Sequence, residues 1–363
     1  MTTTTTARVF LASVPKDPSS ETLKSAIRAV AEAATDFSWL SKGDAVFVKP
    51  ASNSGKPYPA TTSPMALAAT IEPLKEKGAG RVIVGDMSGI EHVKLTPKGF
   101  KGSSRRLMEH SGMARAVIEA GAELHFFEEA GWDAFYEDMP AAGSHWKRGL
   151  MMPSILKEVD HIVLVPRCGR HVLAGATLGL KAAVGYWRTD TRLEYHRDAS
   201  TFHEKTAEGN TVKTLLEKQR LVLSAADKML ATFGPDDGYV LEPETGLVMA
   251  SESVTAHEMA TLAWLLLTRR ALLPHNKDAF RDNSRWLANV ANHWVVSKLS
   301  QRPIELASEK LIKNDLDAIW NDRVLNRGFE VLGGRPEPAL EAVDDTVPAD
   351  LLKRLREMTA PPA

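Results

Sequence analysis

The chain has 363 residues, a net charge of −1 and a single cysteine, Cys168. Single hydrophobic cores stop growing at roughly 250–300 residues, so this length favours two compact domains or one large α/β unit. The balanced charge provides no global basic field for nucleic acid. One cysteine excludes an internal disulfide and any cysteine-based zinc or iron–sulfur site within the chain.

The sequence also lacks the features of a membrane or secreted protein. A membrane span needs roughly 18 or more apolar residues, and the longest apolar run, around Ala263 to Leu267, is interrupted by Thr268-Arg269-Arg270. The threonines after Met1 do not form the basic and apolar regions of a secretion signal. We therefore expect a cytoplasmic protein that binds neither membrane nor nucleic acid.

Short β-rich runs alternate with helical patterns in the first half, which is typical of a parallel sheet covered by helices. The predicted strands are 8–14, 45–49, 81–85, 123–127 and 160–166, and the predicted helices between them are 21–34, 63–77, 104–120 and a turn at 153–159. Later patterns predict long helices at 211–233, 253–270, 281–300 and 307–320, a linker at 333–347 and a helix at 349–358. The expected fold class is α/β: a mostly parallel sheet with helices on both faces, plus a helical C-terminal region.

This pattern divides the chain into four predicted segments. Residues 1–170 form an α/β domain with a cleft at the strand ends. Residues 171–270 form a second part that carries a lysine and histidine motif. Residues 271–332 are a helical region, and residues 333–363 are a linker with a terminal helix.

Charged side chains follow three of the predicted strands. Lys49 ends the second strand, Asp86 follows the third, and Arg167 and Arg170 follow the strand DHIVLVP. Ligands of open α/β sheets bind outside the carboxyl ends of the strands. Each residue alone could be a surface charge or a turn cap. Together they predict a rim that binds carboxylate or phosphate by charge-assisted hydrogen bonds.

The stretch after this rim contains the candidate catalytic groups. Lys181 lies in an apolar, glycine-rich run, where a lysine is either on an exposed helix face, paired, or tuned to a lowered pKa. We predict that His171 is the general acid/base, that Lys181 is a second acid/base or a covalent anchor, and that His196 binds substrate or metal. His203 and Asp227 are the further candidate metal ligands, because imidazole and carboxylate are common metal donors.

Several common catalytic motifs are absent from the sequence. There is no GxxxxGK[ST], no GxGxxG after the first strand and no GxSxG. His257-Glu258 lies in a helical pattern without the second histidine of a zinc HExxH motif, and Asp236-Asp237-Gly238 is typical of a turn. A standard nucleotide-binding or serine hydrolase enzyme is therefore not supported.

The motifs FVKP, RVIVGD, DHIVLVP, TLGLKAAVG and the later His196 resemble the domain of unknown function 362 family, over roughly residues 40–270. The chain departs from that family where Gly169 replaces a lysine and Ala182 an asparagine. Many relatives carry ferredoxin-type cysteine clusters, which this sequence lacks, so we expect no iron–sulfur cluster within the chain.

The spacing of His171, Lys181 and His196 also resembles the catalytic stretch of the nickel-pincer lactate racemases. In those enzymes the lysine holds a nicotinate-derived cofactor and the later histidine binds nickel. The resemblance implies a shared site location. It leaves the cofactor open, with nickel, iron and zinc as the candidate metals.

Three hypotheses follow. The first is an enzyme that acts on a small anionic substrate by lysine and histidine acid–base chemistry, such as racemisation or isomerisation, with or without a metal. The second is a non-catalytic metal- or ligand-binding protein. The third is a biosynthetic accessory protein that binds a partner through its C-terminal helices, where Trp286, Trp294 and Trp320 form core or interface. The helical spacing of these tryptophans favours the core. A homo-oligomer is a further alternative.

Overall fold

The structure is a computed structural model that describes residues 6–171, 173–197, 200–232, 234–236, 238–272 and 316–362. The predicted helix at 281–300, most of that at 307–320, and both Trp286 and Trp294 lie outside the described residues. The strands are β1 (Thr6–Pro15), β2 (Ala45–Pro50), β3 (Arg81–Asp86), β4 (Lys94–Thr96), β5 (Gly99–Lys101), β6 (Glu123–Phe126), β7 (Phe135–Asp138), β8 (Leu150–Pro153), β9 (His161–Val165), β10 (Gly169–His171), β11 (Gly175–Thr177), β12 (Gln219–Ala226), β13 (Met229–Leu230), β14 (Val240–Leu241), β15 (Thr245–Ser251) and β16 (Glu337–Ala342). The helices are α1 (Ser20–Ala34), α2 (Pro64–Glu76), α3 (Ser104–His110), α4 (Met113–Glu119), α5 (Phe127–Ala130), α6 (Ile155–Glu158), α7 (Gly179–Ala182), α8 (Thr189–Arg197), α9 (Phe202–Glu208), α10 (Lys213–Lys218), α11 (Val254–Arg269), α12 (Arg323–Val331) and α13 (Ala349–Thr359).

A mostly parallel sheet of eight strands forms the centre of the molecule, in the order β16-β1-β15-β12-β9-β2-β3-β6. All neighbouring strands are parallel except β15, which runs antiparallel to both β1 and β12. Every residue of β9 is buried, as expected for a central parallel strand covered on both faces. The predicted α/β fold class is confirmed.

Helices cover both faces because alternate side chains of each strand point in opposite directions. In β2, Val46 and Val48 pack with α1, α2 and α4, whereas Phe47 between them packs with Tyr186 and Trp187 on the other face. The face of β1 that carries Val9 and Leu11 packs against α11. Within the described residues, no helix has the length and apolar character needed to span a membrane.

Three sequence predictions are wrong. In the range 211–233, predicted as one helix, α10 is short and is followed by the strands β12 and β13. The apolar run Leu221-Val222-Leu223 is buried on both faces of the sheet, and periodicity alone cannot tell such a strand from a helix. The predicted linker 333–347 contains β16, an edge strand parallel to β1, where Pro338 is tolerated. The predicted helix 104–120 is divided at Gly112, whose φ of 82° is left-handed.

The sheet also crosses the predicted segment boundary at residue 170. The first segment supplies β1, β2, β3, β6 and β9, the second supplies β12 and β15, and the last supplies β16. Trp320 is partly buried against the cluster around α11, and its ring centroid lies 6.3 Å from that of Phe329. This tryptophan therefore belongs to the core on that side of the sheet.

Candidate functional site

The Lys49–Asp86 ion pair lies where β2 and β3 end side by side. Lys49 Nζ is 2.9 Å from Asp86 Oδ1, and both side chains are buried. The other carboxylate oxygen accepts hydrogen bonds from the backbone N–H and the hydroxyl of Ser52. Burial lowers the pKa of Lys49, and the Asp86 charge opposes that shift. Two of the four predicted substrate-binding residues are thus brought together, and they neutralise each other.

Gly185, in the segment after Lys181, is packed directly against this pair. A Cβ atom at this position would lie closer than van der Waals contact to Lys49 Nζ and to Asp86 Oδ1. Only a glycine lets the backbone approach so closely. This contact attaches the glycine-rich motif to the ends of the central strands.

Arg192, which the sequence analysis did not single out, strengthens that attachment. Its guanidinium donates to the carbonyls of Met87, Ser88, Gly185 and Trp187 at distances of 2.5–2.8 Å. Burial lowers its pKa to about 10. Arg192 therefore joins the loop after β3 to the motif through neutral carbonyls, and its positive charge stays uncompensated by any direct carboxylate contact in the described part of the chain.

His171 lies at the end of β10 and is held in one tautomer. Its Nδ1 accepts hydrogen bonds from the backbone N–H groups of Leu173 and Ala174, at 3.0 and 3.2 Å. Because a backbone N–H can only donate, Nδ1 carries no proton, and the neutral ring has its hydrogen on Nε2. Burial, reinforced by the charges of Lys181 and Arg167, lowers the pKa of His171 well below its ordinary range. His171 is therefore a neutral hydrogen-bond donor through Nε2.

His196, on α8, is held in the opposite tautomer. Its Nδ1 lies 2.7 Å from the carbonyl oxygen of Arg192. A carbonyl can only accept, so Nδ1 carries the hydrogen and Nε2 presents a lone pair. Burial lowers the pKa of His196 to about 4, with a further contribution from the charge of Lys181. The lone pair is available at neutral pH for a proton or a metal.

Lys181, on the short helix α7, belongs to the same electrostatic group. It makes no hydrogen bond or ion pair with any residue that the structure describes. Burial first, then the charges of Arg167 and Arg192, lower its pKa to about 7. The neutral amine, which is the form that proton transfer or nucleophilic attack requires, is therefore accessible near neutral pH.

The two arginines of the basic loop act on different groups of residues. Arg167 is buried, and its charge acts on both Lys181 and His171. Arg170 points to the opposite face from His171. There its charge opposes the effect of burial on Asp322, a carboxyl whose pKa burial raises to about 6. Arg167 therefore lies with the histidine–lysine group, and Arg170 lies on the side of α12.

The predicted metal ligands do not form a cluster in the described ranges. His203 is fully buried on α9, with neither ring nitrogen hydrogen-bonded, and burial lowers its pKa to about 4. Asp227 Oδ1 accepts from the Tyr58 hydroxyl at 2.7 Å, and burial raises its pKa. The described group that brings three ligand atoms within 4.8 Å is Glu91, His92 and Asp236, so it contains none of the predicted ligands.

Cys168 lies in the hydrophobic core and not in the candidate site. The side chain is fully buried in the cluster around α11, and Sγ lies 3.7 Å from the carbonyl oxygen of Thr261. Burial raises its pKa. Cys168 thus packs into this core although its chain neighbour Arg167 acts on His171 and Lys181, a difference that a motif in the sequence does not reveal.

Glu258, on α11, is a second residue that sequence reasoning missed. Its Oε2 accepts from the backbone N–H of Leu180 at 2.9 Å, and Asn210 donates to the Leu180 carbonyl at 2.9 Å. A Cβ on Gly179 would lie 3.3 Å from the same oxygen. Burial raises the pKa of Glu258 to about 8. A carboxyl group in an otherwise apolar helix could have indicated this residue, just as an amine in an apolar run indicated Lys181.

The fold and this site define an α/β protein with a histidine–lysine group at the carboxyl ends of a parallel sheet. Residues 46–263, more than half of the chain, match the domain of unknown function DUF362, and the chain belongs to that family. No curated protein matches the chain.

One similar solved structure is the lactate racemase apoprotein from Thermoanaerobacterium thermosaccharolyticum, with 13% identity and a TM-score of 0.38. The match covers 62% of this chain and 51% of the racemase, so the chain spans about half the length of that protein. A likeness this distant carries no argument about substrate or chemistry.

Proposed function

We propose that this protein is an enzyme that acts on a small anionic substrate by proton transfer at His171, Lys181 and His196. The observation that carries the proposal is the pair of opposite imidazole tautomers. His171 presents a donor at Nε2, and His196 presents an acceptor at Nε2. Each is fixed by backbone groups, so neither ring needs to exchange tautomers before it acts.

The charges around these rings support an anionic substrate. Lys181, Arg167 and Arg192 each lower the pKa of at least one neighbouring basic group, so their positive charges act on a common space. An anion bound there would relieve this repulsion. It would also raise the pKa of Lys181 and so strengthen it as a base.

The geometry supports a division of roles in the reaction. His196 Nε2 or the neutral amine of Lys181 removes a proton from the carbon next to a carbonyl group, and the electron pair moves onto the carbonyl oxygen as an enolate. His171 Nε2–H donates a hydrogen bond to the oxygen on which negative charge develops. Return of the proton to the same or the other face gives exchange, isomerisation or racemisation.

Hydrogen exchange tests the proposal directly. A panel of small carboxylates and phosphate esters with a C–H bond next to a carbonyl is incubated with the protein in deuterated water and followed by NMR. We expect enzyme-dependent loss of one C–H signal, abolished in His171→Gln and Lys181→Met. His110→Gln and Lys213→Met, at the surface, are the matched controls. No exchange with any compound would contradict the proposal.

A second candidate function is metal or ligand binding without catalysis. It is favoured by the open Nε2 of His196 and by the two unbonded nitrogens of His203. The surroundings do not fit a metal ion, because Lys181 and Arg192 place positive charge beside His196 and the described donors do not converge on one point. We therefore assign no step to a metal.

Metal analysis separates the two candidates. Nickel, iron and zinc are measured in the purified protein and in His196→Ala. A stoichiometric transition metal that is lost in His196→Ala, without hydrogen exchange in the wild type, supports the binding protein. Exchange in metal-free protein supports the enzyme.

A further inference from the structure

Arg167 is a buried guanidinium with one edge unused. It is 1% exposed, and its Nη1 donates to the carbonyl oxygen of Pro59 at 3.3 Å. The side-on edge, formed by Nε and Nη2, has no hydrogen-bond partner within the described part of the chain. Buried donors are almost always paired, so two adjacent unpaired N–H groups on one cation require an explanation.

The same edge is occupied in other arginines of this protein. Arg8, Arg81 and Arg105 each donate through Nε and Nη2 to both oxygens of one glutamate, at 2.7–3.0 Å. These side chains are exposed, so water could serve them without a carboxylate. The same edge of Arg167 is buried away from bulk water, yet, unlike those of Arg8, Arg81 and Arg105, it has no acceptor among the described residues.

Asp236, the acidic residue whose charge acts on Arg167, does not fill this place. The charge of Asp236 opposes the effect of burial on Arg167, whose pKa is lowered to about 10. The carboxylate oxygens of Asp236 are instead bonded to Asn53 and, at 3.1 Å, to His92. The missing acceptor must therefore come from elsewhere.

We infer that the Nε and Nη2 edge of Arg167 binds a carboxylate of the substrate side-on, which makes the substrate a small carboxylic acid. The inference rests on the proposed function for the place of this carboxylate beside His171 and Lys181. Two parallel N–H groups match the two oxygens of a carboxylate. A phosphate dianion fits less well, because Asp236 adds negative charge beside the same guanidinium.

Isothermal titration calorimetry with acetate, pyruvate, 2-oxoglutarate and inorganic phosphate tests this inference without turnover. We expect at least one carboxylate to bind more tightly than phosphate. In Arg167→Lys, which keeps the charge and removes the edge, binding should weaken roughly tenfold or more, the effect of losing a hydrogen bond to a charged group. Arg81→Lys removes an edge of the same geometry at the surface and should leave binding unchanged.

Thermal unfolding of Arg167→Met provides a second measurement. A purely structural arginine should lower the unfolding temperature when removed. A ligand-binding arginine that is buried with unpaired donors should leave it unchanged or raise it. Carboxylate binding that survives in Arg167→Lys, tighter binding of phosphate, or a destabilised Arg167→Met overturns the inference. Carboxylate binding through Arg167 without hydrogen exchange leaves the inference intact and contradicts only the proposed function.

Discussion

The Glu258 carboxyl group accepts the backbone N–H of Leu180 at 2.9 Å, one residue before Lys181. The contact joins α11 to the first turn of α7, the helix that carries the amine. The Glu258 side chain therefore helps to position Lys181 through the backbone of Leu180, without itself touching the substrate.

Glu258→Leu should disturb this arrangement in two ways. It leaves the Leu180 N–H buried without an acceptor, which costs about 1–3 kcal/mol of unfolding free energy. It should also shift the pKa of Lys181, because α7 keeps the hydrogen bond from Asn210 to the Leu180 carbonyl but loses the one from the Leu180 N–H to Glu258. Denaturant unfolding gives the first value, and pH-dependent labelling of the amine gives the second. Glu258→Gln keeps an acceptor oxygen, so it should restore the pKa of Lys181. An unchanged Lys181 pKa in Glu258→Leu would leave Glu258 a purely structural residue.

The ionisation of Lys181 should set it apart from the surface lysines. Burial and neighbouring positive charge lower its pKa to about 7, so the neutral, reactive amine is present above pH 7 and disappears as the pH falls through that value. Ordinary lysines, with a pKa of about 10.4, become reactive only in alkaline solution. Timed acetylation between pH 5 and pH 10, read by peptide mass spectrometry, measures the curve. A Lys181 profile that coincides with those of exposed lysines would contradict this assignment.

Lys49 and Asp86 should behave as a coupled pair. Lys49→Met leaves the Asp86 carboxylate buried without its counter-charge, and we expect a loss of about 3–5 kcal/mol in unfolding free energy. Adding Asp86→Asn removes the orphaned charge and should recover a large part of that loss. Denaturation of the two single variants and the double variant gives the coupling free energy. Additive losses would show that the two side chains are independent.

Gly185→Ala should be destabilising, because its methyl group would collide with the buried Lys49–Asp86 pair. Overpacking of a closed site costs about 1–3 kcal/mol. The control is Gly328→Ala on α12, where the methyl group meets the movable end of the Leu180 side chain at 3.1 Å. There the better helix propensity of alanine offsets the contact. Equal thermal stability of the two variants would contradict the close packing described for Gly185.

Much of the fold could be predicted because parallel strands leave strong local signals. The strand 160–166 and the helix 63–77 are visible as an apolar run and as an amphipathic pattern with a serine–proline start, and the structure contains both with small shifts of their ends. The edge strand β16 could not be found in this way, because its sequence is polar and proline-rich and its pairing with β1 is set by tertiary contacts.

In the candidate site, too, some residues could be predicted from the sequence and others could not. A lysine in an apolar run indicates burial on its own, and Lys181 is indeed perturbed by burial. The surroundings of a loop residue depend on tertiary packing, so Cys168 and Arg170 could not be separated from Arg167 by spacing alone. Glu258 and Arg192 act on backbone groups distant in the chain, and such contacts leave no pattern in a single sequence.

The position of β1 between β15 and β16 has a consequence for folding. Its Arg8 pairs with Glu341, 333 residues further along the chain. Both neighbours of β1 in the sheet are thus strands that come much later in the chain. Such non-local pairing slows folding and exposes strands to misassembly. The sheet around β1 therefore forms only when these distant parts of the chain come together.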